Sequence, residues 1–77
     1  MEIKVLGPGC MKCKEAEKIM ATAVKETGTN ASIEKISDFQ QIAKFGVFST
    51  PAVVIDGQIK CVGKVPSKAE ALAWLKG

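Results

Sequence analysis

Two cysteines three positions apart occupy the loop 7–13, which reads GPGCMKC. An apolar run typical of a strand precedes this loop, and a helical pattern follows it. The first backbone N–H groups of a helix have no partner within the helix, and its macrodipole is positive there, so a thiolate at Cys10 would be stabilised. The thiolate is the nucleophilic form of cysteine, which predicts Cys10 as the attacking thiol. Cys13 falls one turn further in, nearer the buried face, and is predicted to be the resolving thiol.

Lysines flank the second cysteine of this pair. The charges of Lys12 and Lys14 would add to the field that favours a thiolate. A role in solubility alone is about equally well supported for each of them. Met11, between the cysteines, is predicted to be an exposed contact residue. Both Met11 and Lys12 are therefore candidates for contact with a substrate.

Composition narrows the classes of function that are open to the chain. The 77 residues predict one domain, 1–77, and hold three cysteines and no histidine. The absence of histidine excludes His-based metal sites and general-base histidines, and the odd cysteine count argues against a disulfide scaffold. All eleven cations are lysines, spread along the chain with a net charge of +3, which does not favour nucleic-acid binding. Without a signal peptide or an apolar run of about 20 residues, the chain is expected in the cytoplasm, away from membranes.

The hydrophobic pattern predicts strand, helix, strand and helix in the first half of the chain. The first strand spans Glu2 to Leu6, and an apolar stripe at helical spacing runs from Met11 to about Thr27. A short strand follows from Ala31 to Ile36. The next helix, ending at Gly46, is predicted to start at an N-cap supplied by Ser37-Asp38, with Gln40 completing a possible capping box with Ser37. Its apolar face is expected to comprise Phe39, Ile42 and Ala43, with Phe39 and Phe45 in the core.

A hairpin and a helix complete the predicted order β-α-β-α-β-β-α. The run 52–55 is continuously apolar, as in a strand buried on both faces, and Asp56-Gly57 is a strong hairpin signal. The returning strand would be Gln58 to Val62. Ser67 and Glu70 form a second predicted capping box, at the start of the last helix.

Cys61 lies on the returning strand. Counting back from the two-residue turn pairs Cys61 with Ala52 and places it one strand away from Pro51. A small buried hydrophobe is the favoured interpretation, because free cysteine is among the most buried residues. A third thiol near the substrate groove is the alternative.

The element order, the cysteine pair at the first strand-to-helix junction and Thr50-Pro51 before the third strand resemble the thioredoxin-like fold. The chain is most similar to small, glutaredoxin-sized redox-active disulfide proteins of archaea and bacteria. The resemblance implies an α/β fold with a four-stranded mixed sheet flanked by three helices. It also implies a cis peptide bond at Pro51 facing the dithiol, pairing of the Thr50 backbone with an extended substrate, and a glycine at Gly63 that leaves room for it.

The chain departs from the thioredoxin pattern near the dithiol. Gly9 stands where thioredoxins carry Trp, and Met11-Lys12 stand where they carry Gly-Pro. Many thioredoxins also carry a buried acid about six residues before the nucleophile, where this chain has Lys4. No motif supports glutathione binding.

The predicted function is thiol–disulfide oxidoreductase, an enzyme that exchanges protein disulfides through Cys10 and Cys13. The expected protein is a monomer without a cofactor, and a thioredoxin reductase or a ferredoxin-linked reductase would reduce it again. One alternative is a soft-metal carrier for copper or zinc that uses the same two thiolates. A further alternative is a non-catalytic adaptor, in which both cysteines would be dispensable.

Overall fold

The computed structural model describes residues 1–9 and 11–76 and confirms the predicted order of elements. The strands are β1 (Glu2–Leu6), β2 (Ser32–Ile36), β3 (Ala52–Ile55) and β4 (Gln58–Val62). The helices are α1 (Met11–Thr27), α2 (Phe39–Lys44) and α3 (Lys68–Lys76). None of the described helices is both long enough and apolar enough to span a membrane.

The four strands form one mixed sheet in the order β2-β1-β3-β4. The strands β1 and β2 are parallel, because α1 carries the chain back between them, whereas β3 is antiparallel to both β1 and β4. All four residues of β3 are buried, as predicted for the run 52–55. Because β1 and β2 run in the same direction, their carboxyl ends meet at one edge of the sheet. The loop from β1 into α1 begins at this edge.

Side chains alternate along the central strands, so the core residues lie on both faces of the sheet. Ile3 and Val5 of β1 and Val53 of β3 pack on the face covered by α1 and α3. Leu6 and Val54 pack on the opposite face with Ile42 of α2. The loop after β1 therefore enters α1 at the edge of a sheet that is covered on both faces.

The predicted pairing of Cys61 with Ala52 is wrong. The turn pairs Ile55 with Gln58 as expected, but a β-bulge between Val53 and Val54 shifts the register, and Cys61 pairs with Val53. A bulge inserts one extra residue on one strand, and counting from the turn cannot detect it. Cys61 belongs to the core on the α1 and α3 side of the sheet.

The start of α2 also differs from the prediction. Of the predicted pair Ser37-Asp38, Asp38 is the N-cap, and its side chain rather than that of Ser37 accepts a hydrogen bond from the Gln40 backbone N–H. Phe39 is then the first helical residue and is 68% exposed, so its predicted place in the core is wrong. Ala43 is also exposed, and of the predicted apolar face only Ile42 is buried. Phe45 is half-buried and packs against the core.

Local signals elsewhere are confirmed. Asp56 and Gly57 both have positive φ, 49° and 83°, as the tight hairpin turn requires. The Glu70 N–H donates to Ser67 Oγ at 3.1 Å, and the Ser67 N–H donates to Glu70 Oε1 at 3.1 Å, which completes the second capping box. The Ser67 backbone donor and the Lys64 ammonium group lower the pKa of Glu70. The second strand begins at Ser32, one residue later than predicted.

Candidate active site

The loop from β1 into α1 is tied to the end of β2. The Gly7 N–H donates to the Ile36 carbonyl at 2.8 Å, and Gly7 is buried. A Cβ atom at Gly7 would overlap Cys13 Sγ and would lie 3.7 Å from the Thr50 Cβ. A glycine is therefore needed for the backbone to pass this close to the sulfur.

Cys13 lies in the first turn of α1 and is fully buried. Cys10, the predicted nucleophile, lies outside the described residues. Met11 is 76% exposed and Lys12 is exposed, so the predicted contact residues face solvent at the start of α1. The second thiol is thus shielded while the residues between the cysteines are open to a partner.

The loop before β3 lies next to the loop that leads from β1 into α1. The Thr50-Pro51 peptide bond is cis, as the resemblance implies, and Pro51 is fully buried. Thr50 is half-buried, and its side chain approaches Gly7, which itself contacts Cys13. The structure therefore brings Thr50, Pro51 and Cys13 into one region.

Gly63 joins the same region from the end of β4. Its N–H donates to the Pro51 carbonyl at 2.9 Å. Its φ is +74°, and a Cβ atom there would lie 3.1 Å from the Ser49 Cβ. Both the left-handed backbone and the close approach favour glycine at this position.

Sequence reasoning missed two residues of this region. Phe48, in the loop before the cis proline, is 88% exposed. Lys35, on β2, places its Nζ 3.7 Å from where a Gly9 Cβ would lie. The parallel pairing of β1 and β2 is the signal that could have identified Lys35, because it brings the ends of both strands to one edge.

Lys4 is half-buried on the α2 side of the sheet. Its Nζ lies 5.3 Å from the centre of the Phe45 ring, within the range of a cation–π contact. Lys4 and Phe45 line an open groove of about 390 Å³ together with Glu34 and Lys44. The position where many thioredoxins carry an acid thus holds a lysine that contacts an aromatic ring.

Cys61 lies in a different environment from the region around Cys13. It is 7% exposed, and its Sγ lies 3.7 Å from the Lys64 carbonyl. Burial raises the pKa of the Cys61 thiol, although a backbone hydrogen bond from Val53 and the Lys64 charge oppose the rise. Cys61 is a neutral, buried thiol, in agreement with the favoured interpretation of the sequence.

Comparison with known proteins agrees with this fold. The family model described as "Thioredoxin domain" matches residues 1–76. The chain therefore belongs to the thioredoxin family, a family of thiol–disulfide oxidoreductases. It is 41% identical over 70 residues to a thioredoxin of Methanothermobacter thermautotrophicus, which covers 91% of each chain. It is 39% identical over 79 residues to a thioredoxin of Methanocaldococcus jannaschii, covering 97% of this chain and 91% of the relative.

Proposed function

We propose that the protein exchanges disulfides of protein substrates through a dithiol formed by Cys10 and Cys13. The observation that carries this proposal is the burial of Cys13 against Gly7 in the first turn of α1, beside Thr50 and the cis Pro51. Cys13 is a shielded thiol at a helix start, three positions after Cys10. This placement suits the resolving role in thiol–disulfide exchange.

The reaction needs two exchanges. The Cys10 thiolate attacks one sulfur of the substrate disulfide, that S–S bond breaks, and the first substrate thiolate leaves and takes a proton from water. The Cys13 thiol then loses its proton and attacks the Cys10 sulfur of the mixed disulfide, which releases the second substrate thiolate. Two electrons pass to the substrate, and an S–S bond between Cys10 and Cys13 remains. The electrons are carried by the two sulfur atoms, so the cycle requires no bound cofactor.

The residues around the dithiol are suited to holding an extended substrate segment. The Thr50 backbone would pair with the segment, and Gly63 would leave room for it beside Pro51. Met11 and Lys12 would contact the substrate from the start of α1, where both are exposed. A thioredoxin reductase or a ferredoxin-linked reductase would return the dithiol to its reduced form. The protein would act as a monomer in the cytoplasm.

Trapping the mixed disulfide tests this assignment. In Cys13→Ser, the first exchange can occur but the second cannot, so incubation with a disulfide-containing protein such as insulin should yield a covalent adduct detected by mass. Cys10→Ser should give no adduct and should not accelerate insulin reduction beyond the rate of dithiothreitol alone. Cys61→Ala is the matched control and should reduce insulin at the wild-type rate. Insulin reduction by Cys10→Ser at the wild-type rate would contradict the proposal.

A further inference from the structure

The Lys35 ammonium group lies beside the loop that leads into the first cysteine. Its Nζ is 3.7 Å from the position of a Gly9 Cβ, although the two residues are far apart in the sequence. The parallel register of β1 and β2 pairs Val5 with Lys35, and the Gly7 N–H bonds to the Ile36 carbonyl. Lys35 and Ile33 share a face of β2 because side chains alternate along a strand, and Ile33 packs toward α1. The sheet therefore presents the Lys35 charge where α1 begins.

The charge of Lys35 is not neutralised by an ion pair within the described residues. Among the described residues, Lys64 pairs with Glu70 and Lys68 pairs with Glu26. In the first turns of α1 and just before α2, the charged groups are Lys12, Lys14, Glu15 and Asp38, whereas Lys4 and Glu34 line the groove on the opposite face of the sheet. Asp38 already accepts the Gln40 N–H as the helix cap, and the loop 47–51 carries no charge. The local balance is positive.

We propose that Lys35 is a positioning residue for the dithiol, whose ammonium group stabilises the reactive thiolate of Cys10 from the neighbouring strand. This inference rests on the proposed function and names a residue that acts on its nucleophile. Cys10 directly follows Gly9 in the sequence, and consecutive Cα atoms are about 3.8 Å apart, so the Lys35 charge beside Gly9 is close enough to act on the Cys10 thiolate. At low ionic strength, a single exposed charge about 4 to 12 Å from a thiolate changes the thiolate fraction by about two- to fivefold.

The same charge also affects the redox equilibrium. A cation beside the thiolate stabilises the reduced dithiol relative to the neutral disulfide, which raises the reduction potential. Removal of the Lys35 charge should therefore make the couple more reducing and the nucleophile less reactive at low pH. If Lys35 had only a structural role, its replacement would not change the reduction potential and the reactivity of the nucleophile together.

A charge series at position 35 tests the proposal. The reduced protein is alkylated with the neutral reagent iodoacetamide across a pH series, and the Cys10 peptide is followed by mass. Below the midpoint of the wild-type profile, the rate for Lys35→Gln should fall about two- to fivefold, with a further fall for Lys35→Glu and wild-type behaviour for Lys35→Arg. The profiles should shift to higher pH with an unchanged plateau, and 0.5 M salt should reduce the differences.

The matched controls are Lys25→Gln and Lys25→Glu, in the last turn of α1, which should leave the Cys10 profile unchanged. Equal profiles for Lys35→Glu and Lys25→Glu would overturn the proposal, as would equal slowing in Lys35→Arg and Lys35→Gln. A two-thiol redox transition is measured in parallel on the wild-type protein. Its absence removes the proposed function itself, whereas its presence with an unchanged Lys35→Glu profile removes the role of Lys35 alone.

Discussion

Gly7 is the residue on which the geometry around the buried sulfur depends most. Its backbone is held by the Ile36 carbonyl, and the space of a Cβ atom is taken by Cys13 Sγ. The sequence shows Gly7 only as the end of a strand. Its contact with Cys13 follows from the tertiary path of the loop, which local pattern does not contain.

Replacing Gly7 by alanine should destabilise the protein, because the added methyl group would overlap the Sγ of the fully buried Cys13. Overpacking of this kind costs about 1–3 kcal/mol in the free energy of unfolding. Urea denaturation of the reduced protein measures it. Gly28→Ala is the control, since its Cβ meets nothing within 4 Å and only the positive φ of 66° opposes it, at about 1 kcal/mol. A Gly7→Ala protein as stable as wild type would contradict the close approach of the Gly7 backbone to Cys13 Sγ.

Cys61 should make stability depend on pH in the alkaline range. Burial raises the pKa of its thiol above the ordinary value of 9.0, so the unfolded chain ionises first as the pH rises. The stabilising contribution is complete below the unfolded pKa and is lost as the pH rises through the folded pKa. The difference in free energy of unfolding between wild type and Cys61→Ala should therefore be constant near neutral pH and shrink above about pH 9. Urea denaturation under reducing conditions measures this difference, and parallel curves up to about pH 10.5 would rule out the buried neutral thiol.

At the scale of elements, helix starts show what local signals can and cannot predict. The capping box of Ser67 and Glu70 forms as predicted, because Pro66 and the apolar stripe of α3 leave one place for the helix to begin. At α2, Ser37 and Asp38 are both good caps, and the sequence does not decide between them. Asp38 is the N-cap, and Phe39, the first helical residue, is exposed.

The two caps give a matched pair of substitutions. Ser67→Ala should lower the free energy of unfolding by about 1 kcal/mol, because the Glu70 N–H loses its side-chain acceptor. Ser37→Ala should change it little, because Asp38 caps α2. Urea denaturation curves of both variants make the comparison. A larger loss for Ser37→Ala than for Ser67→Ala would contradict the observed cap positions.

At the scale of the whole molecule, the sequence was sufficient for the order of elements and for the buried strand β3, whose four apolar residues have no polar alternation. The resemblance also implied the cis bond at Thr50-Pro51, which the structure has, while the site roles of Cys10, Cys13 and Gly63 stay predictions. The bulge in β4 and the place of Lys35 beside Gly9 could not be predicted, because both depend on register between strands. Residues that act across strands are those for which the structure adds most.

The central claim is that Cys10 and Cys13 form a reversible dithiol–disulfide couple, and a redox-buffer titration tests it most directly. Free thiols are alkylated and counted by mass in wild type, Cys10→Ser, Cys13→Ser and Cys61→Ala. The expected result is a two-thiol transition between about −180 and −270 mV that persists in Cys61→Ala and is lost in the other two variants. A pair that does not oxidise in wild type, with metal retained on the same mass peak, would contradict the redox function and favour the soft-metal alternative.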